Sequence, residues 1–272
     1  MSAGSYDKHN NAFFSEDEPE LQPEAIQILT QYSGVNEGSV NKHVKAIREK
    51  AWKKHPYPCI GLYKFVDFGI GNTEQYSAVL TRVKNGESLL DVGCCFGHAI
   101  RKMVCDGAPA ENLSGLEMEQ DFIDLGFELF KDRETLQSHL FVGDIFEPKV
   151  AGLQNHSFNI IHAGAFIHLF TWTEQEEILR NIFLLLKPQA GSMIFGRQSG
   201  ADVAGKKELK FARSGEVYRQ NPSSFRELVM QVAKSLNMKL EVTVDPLGTV
   251  AGLKEDGSNW KLLSFCIVFT DV

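Results

Sequence analysis

The run Leu89-Leu90-Asp91-Val92-Gly93-Cys94-Cys95-Phe96-Gly97 constrains this chain more than any other stretch. Two apolar residues lead into an acid and then into a turn with glycines four apart. Ala99, Ile100, Met103 and Val104 follow at the spacing of a helix face. The pattern predicts a strand, a tight glycine turn and a helix. Gly93 permits a sharp bend, and Gly97, with no Cβ, lets a ligand or a strand come close. A pyrophosphate-binding turn would carry G-x-G-x-x-G ahead of its helix. Here Asp91 stands where the first glycine would be. An acid beside the turn suits a cationic ligand without phosphate.

The surrounding sequence repeats the same alternation. Strands are predicted over 88–92, 113–117, 139–143, 158–163, 191–196, 239–244 and 262–269. Helices are predicted over 97–106, 119–131 and 174–186, with another after Ser224. Thr173 with Glu176, and Ser224 with Glu227, have the spacing of capping boxes. Strands alternating with helices predict an α/β fold: a doubly wound, seven-stranded, mostly parallel sheet. Ahead of it lie a short helix over 24–32, a helix to about Lys54 capped by Ser39, an aromatic stretch over 57–70, and a helix over 73–84. This divides the chain into a tail and helical segment, 1–85, and a sheet domain, 86–272. Residues 1 to about 20 read as loosely held.

A net charge of −7 disfavours a nucleic-acid or anionic-membrane partner. No apolar run reaches membrane-spanning length, and Met1 to Glu20 carries no signal-like apolar core. The five cysteines form no C-x-x-C pair, which fits a reduced, cytoplasmic protein. Asp67, Asp121 and Asp144 show no metal-ligand spacing, so no metal is expected.

Asp91-x-Gly93-x-x-x-Gly97 resembles motif I of class I S-adenosylmethionine-dependent methyltransferases, a Rossmann-like fold whose N-terminal segment forms a lid. The resemblance implies S-adenosylmethionine as cofactor, with the turn under its methionine part. Glu117 ends the second strand, and a carboxylate there offers two acceptor oxygens to a ribose. By resemblance Met118 packs on adenine, Asp144 takes the adenine amino group and Ile145 packs on the ring. The backbone around Ala163 borders the cofactor, and Tyr63 reaches it from the lid. Leu185 to Gly191 is similar to the family's L-x-P-G-G turn, with Gln189 and Ala190 departing from it.

No N/D-P-P-Y/F follows the fourth strand, which argues against methylation of nucleic-acid bases. His168-Leu169-Phe170-Thr171-Trp172 resembles the His-Asp-Trp stretch of phenol O-methyltransferases, where the histidine is a general base; Leu169 replaces the aspartate. A carboxylate acceptor is ionised at pH 7 and needs orientation rather than a base. Arg197, expected just past the fifth strand, and Gln198 are placed to supply it. The segments 55–60, 89–97, 158–170 and 195–200 together resemble fungal secondary-metabolite methyltransferases of meroterpenoid pathways, which esterify a farnesylated polyketide acid. The expectation is a methyl ester formed on a hydrophobic small-molecule acid, with Arg197, Gln198 and His168 facing the acceptor. A phenol acceptor with His168 as base is the alternative, and a homodimer is possible. A nicotinamide dehydrogenase and a non-catalytic interaction protein are the readings from other classes; the first shares the strand-turn-helix pattern but requires the pyrophosphate glycine pattern that this turn lacks.

Overall fold

The computed structural model describes residues 13–147, 152–209, 212–255 and 258–271. Strands β1 (Leu89–Val92), β2 (Leu113–Glu117), β3 (His139–Val142), β4 (Ile160–His162) and β5 (Met193–Gly200) pair in parallel. β6 (Gly205–Glu208) and β7 (Glu216–Arg219) form a separate hairpin. β8 (Lys239–Glu255) and β9 (Ser258–Asp271) complete a seven-stranded sheet in the order β3-β2-β1-β4-β5-β9-β8, with β9 antiparallel to both neighbours. This is the doubly wound, mostly parallel sheet that the alternation predicts. The strand order reverses beside β1, and ligands bind α/β sheets at such switch points.

Helices α1 (Pro23–Gln27), α2 (Val40–Lys54), α3 (Pro58–Gly61) and α4 (Tyr76–Lys84) precede the sheet. α5 (His98–Cys105), α6 (Gln120–Phe130), α7 (Trp172–Leu185) and α8 (Pro222–Ser235) connect its strands. Ile178, Ile182 and Leu185 of α7 and Phe225, Leu228, Val229 and Val232 of α8 bury the expected faces against one side of the sheet. α4 and α5 pack on the other side through Val79, Val83, Ala99, Ile100 and Met103. A third cluster joins the N-terminal helices to Phe96 and to Phe122, Leu125, Leu129 and Phe130. No helix among the described residues is long and apolar enough to cross a membrane.

A buried ion pair clamps the N-terminal segment to the sheet domain. Arg101 donates from Nε to Asp132 Oδ2 and from Nη2 to Asp132 Oδ1, both at 2.9 Å, and the Tyr32 hydroxyl donates to Oδ2 at 2.7 Å. Attachment begins earlier than the expected loose tail over 1–20. Within its described part, Phe14 is buried with the Arg48 guanidinium 4.0 Å from its ring centroid, and the Ser15 N–H donates to Gly61 O at 3.1 Å. Residues 1–12 lie outside the described residues.

Several boundaries differ from expectation. α7 is capped by Thr171 with Glu174, two residues before the expected Thr173–Glu176 box. Both pairs have the right spacing, but Gln175 Nε2 must reach Phe170 O and Tyr218 O, each at 2.8 Å, which pulls the start of the helix forward. α8 is capped by Asn221 with Ser224, one turn before the expected Ser224–Glu227 box, and Pro222 suits the first helical position. Ser39 makes no side-chain cap to α2; its hydroxyl donates to Asn36 O at 2.9 Å. β5 runs to Gly200 because β9 pairs with it as far as Gly200–Lys261. Arg197 and Gln198 are therefore strand residues on opposite faces of the sheet.

Candidate active site

The glycine turn is held by β2. The N–H groups of Gly93 and Cys94 both donate to Leu116 O, at 2.9 and 3.0 Å. Gly93 has φ +68° and Gly97 +65°, and Cys95 between them is also left-handed at +53°. The Cys95 N–H donates to Glu117 Oε2 at 2.8 Å, and the Glu119 N–H donates to Oε1 at 3.1 Å. Burial raises the Glu117 carboxyl above the ordinary range, and these backbone donors act against the rise. Each oxygen accepts one backbone N–H, which leaves acceptor capacity for two ribose hydroxyls. A Cβ on Gly97 would collide with Arg101 Nη1, so this glycine makes room for the guanidinium. A Cβ on Gly93 would collide with the Phe166 ring from the loop after β4.

Beside Glu117, Met118 is 49% exposed and available to pack on a flat ligand. The Gly143 N–H donates to Glu117 O at 2.9 Å, which puts Asp144 next to this corner. Asp144 Oδ1 accepts the Phe146 N–H at 3.1 Å, and Oδ2 accepts Arg213 Nη1 at 2.8 Å. Ile145 is buried in the α7–α8 core cluster, so its side chain serves packing. Tyr63 is built into the N-terminal cluster: its hydroxyl donates to Asp17 O at 3.4 Å and the Arg48 guanidinium lies 4.5 Å from its ring centroid. Ala163, wholly buried, donates its N–H to Phe195 O at 3.0 Å.

Asp91 does not stand open beside the turn. Its Oδ1 lies 2.7 Å from Nδ1 of His162, which sits in register with it on β4. The sequence reading gave His162 no role; the signal was available, because both residues end neighbouring parallel strands. Phe195 continues the row, its ring 5.0 Å from that of His162, and Arg197 follows on the same face. A Cβ at Gly69 would collide with Arg197 Nη2, with Asp67 Oδ1 3.5 Å away, so the turn Gly69–Asn72 lies over the guanidinium. Arg197 forms no ion pair among the described residues.

His168 lies in the turn Ile167–Leu169. Its carbonyl accepts Arg219 Nη1 at 2.9 Å, and its buried Nδ1 has no partner. Burial, and then the Arg219 charge, hold the ring well below the usual histidine range. Gln198 is buried with neither amide atom partnered. Such orphans are uncommon in folded proteins and mark places where a ligand or water completes the bonding. The structure therefore splits the expected acceptor trio: Arg197 faces the N-terminal segment, and Gln198 faces the side covered by α7 and α8. Among the described residues, no group of three His, Cys, Asp or Glu is placed to hold a metal.

Comparison with known proteins shows the family. Residues 13–66 match the family model for the meroterpenoid methyltransferase N-terminal domain, and residues 89–189 match a methyltransferase domain. The chain is 37% identical over 235 residues to O-methyltransferase phiE from Fungal sp. (strain ATCC 74256), covering 84% of this chain and 78% of that protein. It is 32% identical over 233 residues to methyltransferase adrK of Penicillium roqueforti, covering 85% and 84%. Against the asnovolin E/chermesin D methyltransferase nvfJ of Aspergillus novofumigatus it is 40% identical over 175 residues, covering 64% and 63%. Among solved structures, Haemonchus contortus phosphoethanolamine N-methyltransferase 2 in complex with S-adenosyl-L-methionine superposes with TM-score 0.57 at 14% identity, covering 83% of this chain and 60% of that one. The [4+2]-cyclase SpnF superposes with TM-score 0.52 at 12% identity, covering 73% and 82%, so the fold alone does not name the chemistry. The sequence relatives do: the chain belongs to the fungal secondary-metabolite methyltransferases and carries the meroterpenoid-type N-terminal domain.

Proposed function

We propose that this enzyme forms a methyl ester on the carboxylate of a hydrophobic polyketide–terpenoid acid in secondary-metabolite biosynthesis. S-adenosylmethionine supplies the methyl group as an electrophile and leaves as S-adenosylhomocysteine. Glu117, with free acceptor capacity on both oxygens, fits its ribose, and half-exposed Met118 beside it fits the adenine. Gly93 lines the methionine end, with Asp91, Tyr63, Asp144, Ile145 and Ala163 shaping the surroundings as described. In this reading residues 1–85 cover the site and residues 86–272 bind the cofactor in the cytoplasm.

The observation that carries the carboxylate reading is Arg197. Its guanidinium is half-buried beneath the turn Gly69–Asn72 and has no ion-pair partner among the described residues. Asp67 Oδ1 lies nearby but makes no ion pair with it, which leaves the guanidinium's donors for a ligand carboxylate that matches it in plane and spacing. The relative nvfJ is named an asnovolin E/chermesin D methyltransferase, and the match to the meroterpenoid methyltransferase N-terminal domain supports an acceptor of that class. His168 is a poor proton acceptor, because burial and Arg219 keep its ring neutral, and Gln198 faces the other side of the sheet, so the orienting role falls to Arg197.

The test is incubation with S-adenosylmethionine and a set of prenylated aromatic acids, with mass spectrometry reading the products. Ester formation is expected, and Arg197→Met should raise KM for the acid about 10²-fold or more. No ester from any acid, or an unchanged KM in Arg197→Met, would overturn the carboxylate reading.

A further inference from the structure

His162 is the last residue of β4 and lies between Asp91 on β1 and Phe195 on β5. Its Nδ1 stands 2.7 Å from Asp91 Oδ1. A carboxylate oxygen accepts at this distance, so the proton between them sits on Nδ1 and Nε2 is the ring nitrogen left to face outward. Nε2 makes no hydrogen bond among the described residues, and unlike Nδ1 of His168 it is not a sealed, orphaned atom. A Cβ on Gly164 would stand 2.8 Å from Nε2 and 2.6 Å from Cε1, so the glycine keeps that edge of the ring open. A histidine held by a carboxylate at one nitrogen and open at the other is the arrangement of an oriented general base.

The charged and titratable groups facing the pair come from four elements. Asp91 is the penultimate residue of β1, His98 opens α5, Arg197 lies on the same face of β5, and Asp67 comes from the N-terminal segment. Burial lowers His98 below the usual histidine range, so it stays uncharged at neutral pH.

We propose that His162, backed by Asp91, accepts the proton of a hydroxyl acceptor, so that this site methylates a phenol or enol as well as a carboxylate. The proposal rests on the methyl-transfer reading and not on the carboxylate one. A phenol of pKa about 10 is neutral at pH 7 and a poor nucleophile until it loses its proton. That proton passes to Nε2 as the acceptor oxygen bonds to the methyl carbon. The methyl carbon's bond to sulfur breaks, with its electron pair staying on sulfur. Asp91 balances the imidazolium, which returns its proton to water past Gly164. His168, expected from sequence to be this base, has no carboxylate on its ring and faces the Arg219 charge instead.

The experiment uses the full chain with a prenylated phenol and the matching prenylated benzoic acid. Wild type should form the methyl ether. His162→Gln should lower the ether-to-ester ratio by about 10²-fold or more, through kcat rather than KM, since a positioned base contributes about 10²–10⁴. Ring-nitrogen NMR of the protein without cofactor should show His162 protonated at Nδ1, and Asp91→Asn should abolish that preference. Turnover of the acid without ether, an unchanged ratio in His162→Gln, or an Nε2-protonated ring in wild type overturns the proposal alone. No turnover of either acceptor, with no heat of S-adenosylhomocysteine binding, overturns the methyl-transfer reading and the proposal with it.

Discussion

Glu117 Oε2 accepts the backbone N–H of Cys95 at 2.8 Å, which ties the carboxyl end of β2 to the glycine turn. One carboxylate thus fixes the left-handed Cys95 and keeps the acceptor capacity that the proposed ribose contact would use. Structure and binding are coupled through the same two oxygens.

Glu117→Gln should therefore fail twice. Both oxygens accept backbone N–H groups, so an amide NH₂ sets a donor against a donor. A hydrogen bond to a charged acceptor is worth about 1.5–3 kcal/mol, or roughly a tenfold to hundredfold loss in affinity. Calorimetry with S-adenosylhomocysteine should show that loss alongside a lowered Tm. Unchanged affinity would remove Glu117 from the ribose site.

Gly93→Ala should abolish cofactor binding and lower stability. The backbone there has φ +68°, and an added Cβ meets the Phe166 ring. The left-handed conformation alone costs a residue with Cβ about 1–2 kcal/mol. Adding Phe166→Ala removes the collision but not the backbone strain, so the double variant should recover only part of the lost Tm. Full recovery would show that the ring, and not the turn, sets the requirement for glycine.

The Arg101–Asp132 pair joins α5 to the segment after α6, and the Tyr32 hydroxyl ties the N-terminal segment to it. Removing one partner of a buried pair costs about 3–5 kcal/mol, because the other charge is stranded. Asp132→Asn should lower Tm by roughly 10 °C in a chain of this length. Replacing both partners, as Arg101→Met with Asp132→Leu, should restore much of it, read by thermal denaturation. A double variant no better than the single would place the stability in the hydrogen bonds rather than in the charge balance.

His168 predicts a pH dependence. Its ring is held well below the ordinary histidine value of 6.5, chiefly by burial. The unfolded chain therefore binds a proton near that value that the folded chain refuses. The stabilising contribution is present above pH 6.5 and is lost as pH falls through the folded value. His168→Gln should make the fall in Tm between about pH 7 and pH 5 shallower. Equal slopes in the two proteins would mean that the folded ring takes the proton.

The sheet was legible because strand and helix periods are written in local sequence. Strand ends such as Asp91, Glu117 and Asp144 could be located for the same reason. The reach of β5 was not legible, because β9 pairs with it from more than sixty residues away. That extension decides that Arg197 and Gln198 face opposite sides. The caps of α7 and α8 were misplaced because two caps of similar spacing compete at each start, and packing of Gln175 and the position of Pro222 select one.

By itself the sequence determined the doubly wound sheet, the glycine turn and the acid one strand over, because each depends on residues close together in the chain. Only the tertiary structure decided what those residues touch. Asp91 meets His162 and not solvent, and Arg197 lies beneath the turn Gly69–Asn72 with no ion pair among the described residues. These contacts join distant segments through sheet register and burial, and no local pattern encodes a partner seventy residues away.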